Sequence, residues 1–174
     1  MIELQQHRPE WAAEFRREAT MLASALTGRI DALEHIGSTA IPSLIAKPII
    51  DLAARAAPSA DPFDLGPLLA GTGYEPHTAG PKNHAIYIRT TDGRRTHILH
   101  VFTAEQWTDC NQRLFRDLLL RDASARVRYQ ALKQSLTGHT DGKAYTAAKR
   151  ALITELVNDE RMLRGLPPTN PWDK

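Results

Sequence analysis

Three groups of residues have the types and spacing to do chemistry. The first is Gly37-Ser38-Thr39, which ends a short apolar segment running from Ile30 to Ile36. Glycine lets a backbone turn sharply and approach a ligand closely. A serine hydroxyl with neighbouring amides donates to phosphate as a backbone nest or a helix N-terminus does. A plain Gly-Ser turn is the alternative. The second is Asp51, a single carboxylate inside the apolar run Pro48 to Ala53. An unpaired buried carboxylate is costly, so a metal or ligand role is favoured over capping. Mg²⁺ takes oxygen ligands and bridges phosphates, and Lys47, four residues earlier, can add positive charge to the same pocket. The third is the run Thr96 to Phe102 with His97 and His100. Alternation along a strand sends these two to opposite faces. His100 is expected to face Asp51 as a candidate catalytic group, and a satisfied structural histidine is the alternative for each.

Other polar residues fit two readings. Arg94 and Arg95 lie at a predicted hairpin end and read as a solvated turn, although the planar fork of Arg95 could reach an anionic ligand. Arg116-Asp117 and Lys133 could pair with one another on the surface, where such pairs contribute little. His35 and Glu34 flank the Gly-Ser turn and could line a pocket or sit at a strand end. His7, His77, His84 and His139 fall in polar or loop contexts. The sequence contains no G-x-x-x-x-G-K-[ST], no G-x-G-x-x-G, no H-E-x-x-H, no cysteine pair and no G-x-S-x-G.

These groups need elements to position them. Trp11, Phe15, Leu22 and Leu26 recur at helical spacing and predict a helix over about 10–26, with Gly28 as its stop. Strands are predicted at 30–36 and 48–53, with a loop or one helical turn over 40–46. A linker at 58–64 leads to a short helix at 64–71, then a short strand from Gly73-Tyr74. The runs 85–89 and 96–102, with Asp92-Gly93 between them, predict an antiparallel hairpin. From Thr103 on the pattern is helical, with stripes Leu114/Phe115/Leu118/Leu119, Tyr129/Leu132/Leu136 and Tyr145/Ala148/Leu152/Ile153/Leu156/Val157. The expected fold class is α/β: a mixed sheet with an N-terminal helix and about three C-terminal helices packed on it, in one domain over 1–165. Residues 166–174, with Pro167, Pro168 and Pro171, predict a loose tail.

The bulk numbers narrow the function classes. A length of 174 residues, 42% hydrophobic and 24% charged, is that of an ordinary globular domain. One cysteine makes no intrachain disulfide. No apolar run approaches the roughly 20 residues that cross a bilayer, and no secretory leader is visible, so a cytoplasmic protein with no membrane partner is expected. A formal net charge of +2 gives no nucleic-acid footprint.

The stretch Glu34-His35-Ile36-Gly37-Ser38-Thr39-Ala40-Ile41-Pro42, followed by Ala46-Lys47-Pro48-Ile49-Ile50-Asp51, resembles the signature of the GrpB family. Pro9-Glu10-Trp11 with Phe15, Arg95 to Val101, Phe115-Arg116-Asp117, and Tyr145 with Lys149 resemble further family segments, so the likeness runs from about residue 5 to 157. The resemblance implies a DNA-polymerase-beta-like nucleotidyltransferase fold. It further implies that Gly37 and Ser38 hold phosphate, that Asp51 binds metal, and that Arg116, Lys133 and Lys149 complete an anion clamp. Two departures stand out. Ala53 occupies the position of a second acid, and His97 and His100 lie where a later acid is expected. One Mg²⁺ helped by basic side chains therefore fits better than two-metal chemistry. Two functions follow. One is an enzyme using ATP or GTP with Mg²⁺ to transfer a nucleotidyl or phosphoryl group to a small-molecule acceptor. The other is a non-catalytic module that binds a nucleotide or other phosphorylated ligand.

Overall fold

The computed structural model describes residues 4–135 and 142–171. Leu136, His139 and the end of the tail lie outside the described residues, as do the side chains of Tyr145 and Ala148. Helix α1 (Glu10–Ala25) is followed by strands β1 (Ile30–Ile36) and β2 (Ile50–Ala56). A one-turn α2 (Gly66–Leu69) and strands β3 (Tyr74–Pro76), β4 (Ala85–Thr91) and β5 (Arg94–Phe102) come next. The one-turn α3 (Ala104–Trp107) leads to helices α4 (Asn111–Arg121), α5 (Ala123–Ser135) and α6 (Gly142–Leu163).

The five strands form one sheet in the order β1-β2-β5-β4-β3. The β2–β5 pair is parallel and the other pairs are antiparallel. Period-two alternation splits the central strands between two cores. Leu52, Ala54, Leu99 and Val101 pack with Trp11, Leu22 and Leu26 under α1. Ala53 and Phe102 pack with Ile36, Trp107 and Cys110 on the opposite face. Beyond that face a third cluster joins Ile41 and Leu44 to Leu118, Leu119, Tyr129, Leu156 and Val157 of α4–α6. Two glutamates tie helices to strands through ion pairs. Glu18 of α1, buried, receives Arg89 Nη1 at 2.7 and 2.9 Å. Glu34 of β1 holds Arg113 and Arg116 of α4, at 2.9 and 2.7 Å.

The structure departs from the sequence reading in the start of β2, the hairpin and the buried stripe of α5. β2 starts at Ile50 rather than Pro48, because Pro48 has no amide to give and Ile49 N turns back to Lys47 O at 2.8 Å. The hairpin is tighter than predicted. Strands β4 and β5 run up to a two-residue turn, Asp92-Gly93, whose φ values of 51° and 71° match the twist-compatible hairpin turn. The buried stripe of α5 is Ala125, Tyr129 and Lys133, with Leu132 only half-buried. In the described part of the tail, to Pro171, Arg161 Nε donates to Pro167 O at 2.6 Å and Thr169 N to Asn158 Oδ1 at 2.9 Å. None of the described helices is long and apolar enough to cross a membrane.

Candidate functional site

β1 ends at Ile36, directly opposite Asp51 of β2. The chain then turns at Gly37, where φ is 70° and ψ −173°, a region only glycine occupies readily. A Cβ placed at Gly37 would lie 2.3 Å from Asp51 Oδ2. The glycine is thus needed twice, for its backbone angle and for the room it leaves the carboxylate. Ser38–Ala40 follow as one 3₁₀ turn. It swings the Ser38 hydroxyl toward α5, where Lys133 Nζ donates to Ser38 Oγ at 2.6 Å and to Ile45 O at 2.7 Å. The Tyr129 hydroxyl also hydrogen-bonds Ser38, and its ring lies under the Lys133 and Lys149 ammoniums at 4.9 and 5.9 Å. Thr39 is buried. Its hydroxyl donates to Ile49 O at 3.2 Å and meets His35 Nε2 at 3.0 Å, so it braces the turn.

Ser38, Thr39, Lys47, Asp51, Lys133 and Lys149 line one cavity of about 140 Å³. Burial pushes the Asp51 carboxyl up to about 7, against the pull of Lys149, Lys133 and Arg95. Burial likewise brings Lys133 down to about 7, helped by Lys149 and opposed by Asp51. Lys47 is lowered by burial and then by Lys149 and Arg95. One carboxylate surrounded by three lysines and an arginine is a place for an anion. Among the described residues no three His, Cys, Asp or Glu side chains cluster to hold a metal ion. Asp51 is the carboxylate oxygen donor that these cavity residues offer to a hard cation such as Mg²⁺.

The structure gathers most of the sequence-nominated residues, but not all at one spot. Gly37, Ser38, Thr39, Lys47, Asp51, Lys133 and Lys149 meet around the lysine cavity. Arg95 is exposed on β5 and acts on Asp51 and Lys47 through its charge. Arg116 is turned away. Its guanidinium binds Glu34, Asp117 and His35 O, and it lines a second cavity that also borders Asp51. The suggested pairing of Lys133 with Arg116-Asp117 does not occur, because burial takes Lys133 to Ser38. His100 lies on the Asp51 face of the sheet and lines that second cavity. His97 faces α1, 3.7 Å from Glu18. Two participants are not predicted by the sequence: Tyr129, which reads as core, and His84, which reads as loop but is buried against His100 at 2.9 Å; Glu34, which flanks the turn, anchors two arginines. The spacing Ala125/Tyr129/Lys133 was the available signal that α5 turns a lysine inward.

The mixed sheet with its Gly-Ser turn facing a strand aspartate defines a nucleotidyltransferase-like fold. The poly(U) polymerase Cid1 with bound MgGTP shares it, with a TM-score of 0.52 at 15% identity over 75% of this chain and 44% of that one. The chain belongs to the GrpB family, whose GrpB protein profile matches residues 1–159. It is similar to the UPF0157 protein of Halalkalibacterium halodurans, 33% identical over 90% of this chain and 80% of that protein. It is also similar to the crystal structure of GrpB from Enterococcus faecalis, with a TM-score of 0.79 at 25% identity, covering 94% of this chain and 99% of that one.

Proposed function

We propose that the lysine cavity binds the phosphates of ATP or GTP together with one Mg²⁺, and that the protein transfers a nucleotidyl or phosphoryl group to a small molecule, in the cytoplasm where these triphosphates are made and spent. The observation that carries this reading is the convergence of Ser38, Lys47, Lys133 and Lys149 on Asp51 in one cavity. In the resting site Lys133 is already aimed at Ser38 Oγ and at Ile45 O. An incoming phosphate replaces those neutral acceptors with an anionic one, which pairs an ionised donor with an ionised acceptor. Lys47 and Lys149 offset the remaining negative charge, and their fixed positions stabilise charge that grows during transfer. Mg²⁺, when bound, neutralises phosphate charge and lets the Asp51 carboxylate approach it.

A second reading, a binding module without chemistry, is favoured by Ala53, which leaves β2 with one acid on this face. Both readings require the same pocket. ATP or GTP with Mg²⁺ should raise the melting temperature by mass action, with about 2.7 kcal/mol of stabilisation at a hundredfold excess over Kd. Asp51→Ala should remove the Mg²⁺-dependent part of that shift. No shift with either nucleotide sinks the first reading, and no shift with any nucleotide or with inorganic phosphate or pyrophosphate sinks the second. Mass-resolved turnover against a metabolite pool then separates enzyme from binder.

A further inference from the structure

A second cavity of about 190 Å³ also borders Asp51, and none of the three lysines lines it. Asp51 is the residue that lines both. Ile36, Phe115 and Leu119 make its wall largely apolar, and His100 and Gln112 contribute polar groups. Arg116 is also present but committed to Glu34 and Asp117.

The state of His100 follows from a chain of hydrogen bonds. Asn83 Oδ1 lies 2.7 Å from His84 Nδ1, and His84 Nε2 lies 2.9 Å from His100 Nδ1. An amide oxygen only accepts, so His84 Nδ1 carries the proton. Burial keeps both rings neutral, and a neutral imidazole has one N–H. His84 Nε2 must then accept, His100 Nδ1 must donate, and His100 Nε2 keeps a bare lone pair. Nε2 is the ring nitrogen that His84 leaves free to serve the cavity His100 lines. Phe102 stacks on His84 at 4.5 Å and fixes the relay in place.

We propose that this second cavity is the acceptor subsite, and that it takes a small molecule with an apolar body and one hydroxyl or amine, whose O–H or N–H donates to His100 Nε2. The name acceptor rests on the lysine cavity being the phosphate site; the ligand class does not. A neutral imidazole that offers only a lone pair disfavours a carboxylate or phosphate group there and selects a donor. The volume, below the 300–1,000 Å³ of drug-sized sites, selects a small body. The arrangement sets the donor group and the phosphates in two cavities that share one carboxylate.

Nitrogen NMR of the chain labelled at histidine tests this, with benzyl alcohol as probe and toluene as the same body lacking the donor. His84 and His100 should both show the Nδ1–H tautomer. Benzyl alcohol should move the His100 Nε2 resonance and toluene should not. Phe115→Trp, which fills the cavity, should abolish the response. A His100 found with its proton on Nε2, or equal effects or none from the two probes, overturns the proposal. Should Phe115→Trp unfold, the tautomer and probe results on the unaltered chain decide. The thermal shift with ATP and Mg²⁺ is read separately. Its absence removes the phosphate site and leaves a donor-binding pocket standing on the NMR result.

Discussion

Asp51 and Lys133 carry proton equilibria that oppose folding at neutral pH. Burial raises Asp51 from 3.8 to about 7. Between those values the folded chain holds a proton that the unfolded chain has released, so this residue's contribution to stability falls as pH rises through the range. Burial lowers Lys133 from 10.5 to about 7. Between 7 and 10.5 the unfolded chain holds the extra proton, so the contribution of Lys133 recovers as pH rises. The site therefore destabilises the free chain most near pH 7. Asp51→Asn should stabilise the free chain there by about 1 kcal/mol, at the low end for removing a poorly compensated buried polar group. That corresponds to a melting temperature higher by about 2–4 °C. Its melting temperature should also decline less than the parent's between pH 4 and 7. A scanning melt at several pH values checks both, and a variant less stable than the parent at pH 7 contradicts the assignment.

At the scale of elements, the site depends on how closely the end of β1 approaches β2. Gly37→Ala adds a methyl 2.3 Å from Asp51 Oδ2 at a φ of 70°. Both effects oppose the native turn, and backbone strain of this kind costs of order 1–3 kcal/mol. The melting temperature should fall and nucleotide-dependent stabilisation should disappear; unaltered binding by Gly37→Ala would show that the turn does not shape the pocket. The strands bearing the site were largely legible. The apolar runs, the interrupting Asp51 and the three-residue spacing of His97 and His100 all follow from period-two alternation. The facing of α5 was not. Counting apolar residues selected Leu132, while the fold buried Lys133 because Ser38 Oγ and Ile45 O satisfy its ammonium. Arg95 was placed by a local irregularity: Arg89 pairs with His97 but Thr90 with Arg95, so β5 carries an extra residue at Thr96 and simple alternation ends there.

For the whole molecule, a net charge of +2 conceals a local concentration of cations. Lys47, Lys133 and Lys149 come from the segment before β2, from α5 and from α6, and they share one cavity with a single acid. Binding of a triphosphate there should be strongly electrostatic. Raising ionic strength from about 0.1 M to about 1 M shortens the screening length from about 10 to 3 Å, and ATP affinity measured by calorimetry should fall by about tenfold or more. An affinity indifferent to salt would point to recognition through the base or sugar instead.

The amino-acid sequence by itself determined the local pieces of this protein: the glycine turn, the lone strand aspartate, a hairpin around Asp92-Gly93 and the helical run after Thr103. Each follows from backbone sterics or from hydrophobic period, which act over a few residues. Only the tertiary structure decided which charges meet. It sent Lys133 to Ser38 and Arg116 to Glu34, and it joined His84 to His100 across 16 residues of chain. Those choices belong to packing, because a buried charge or imidazole goes where a partner can satisfy it, and the partner is set by the meeting of distant elements.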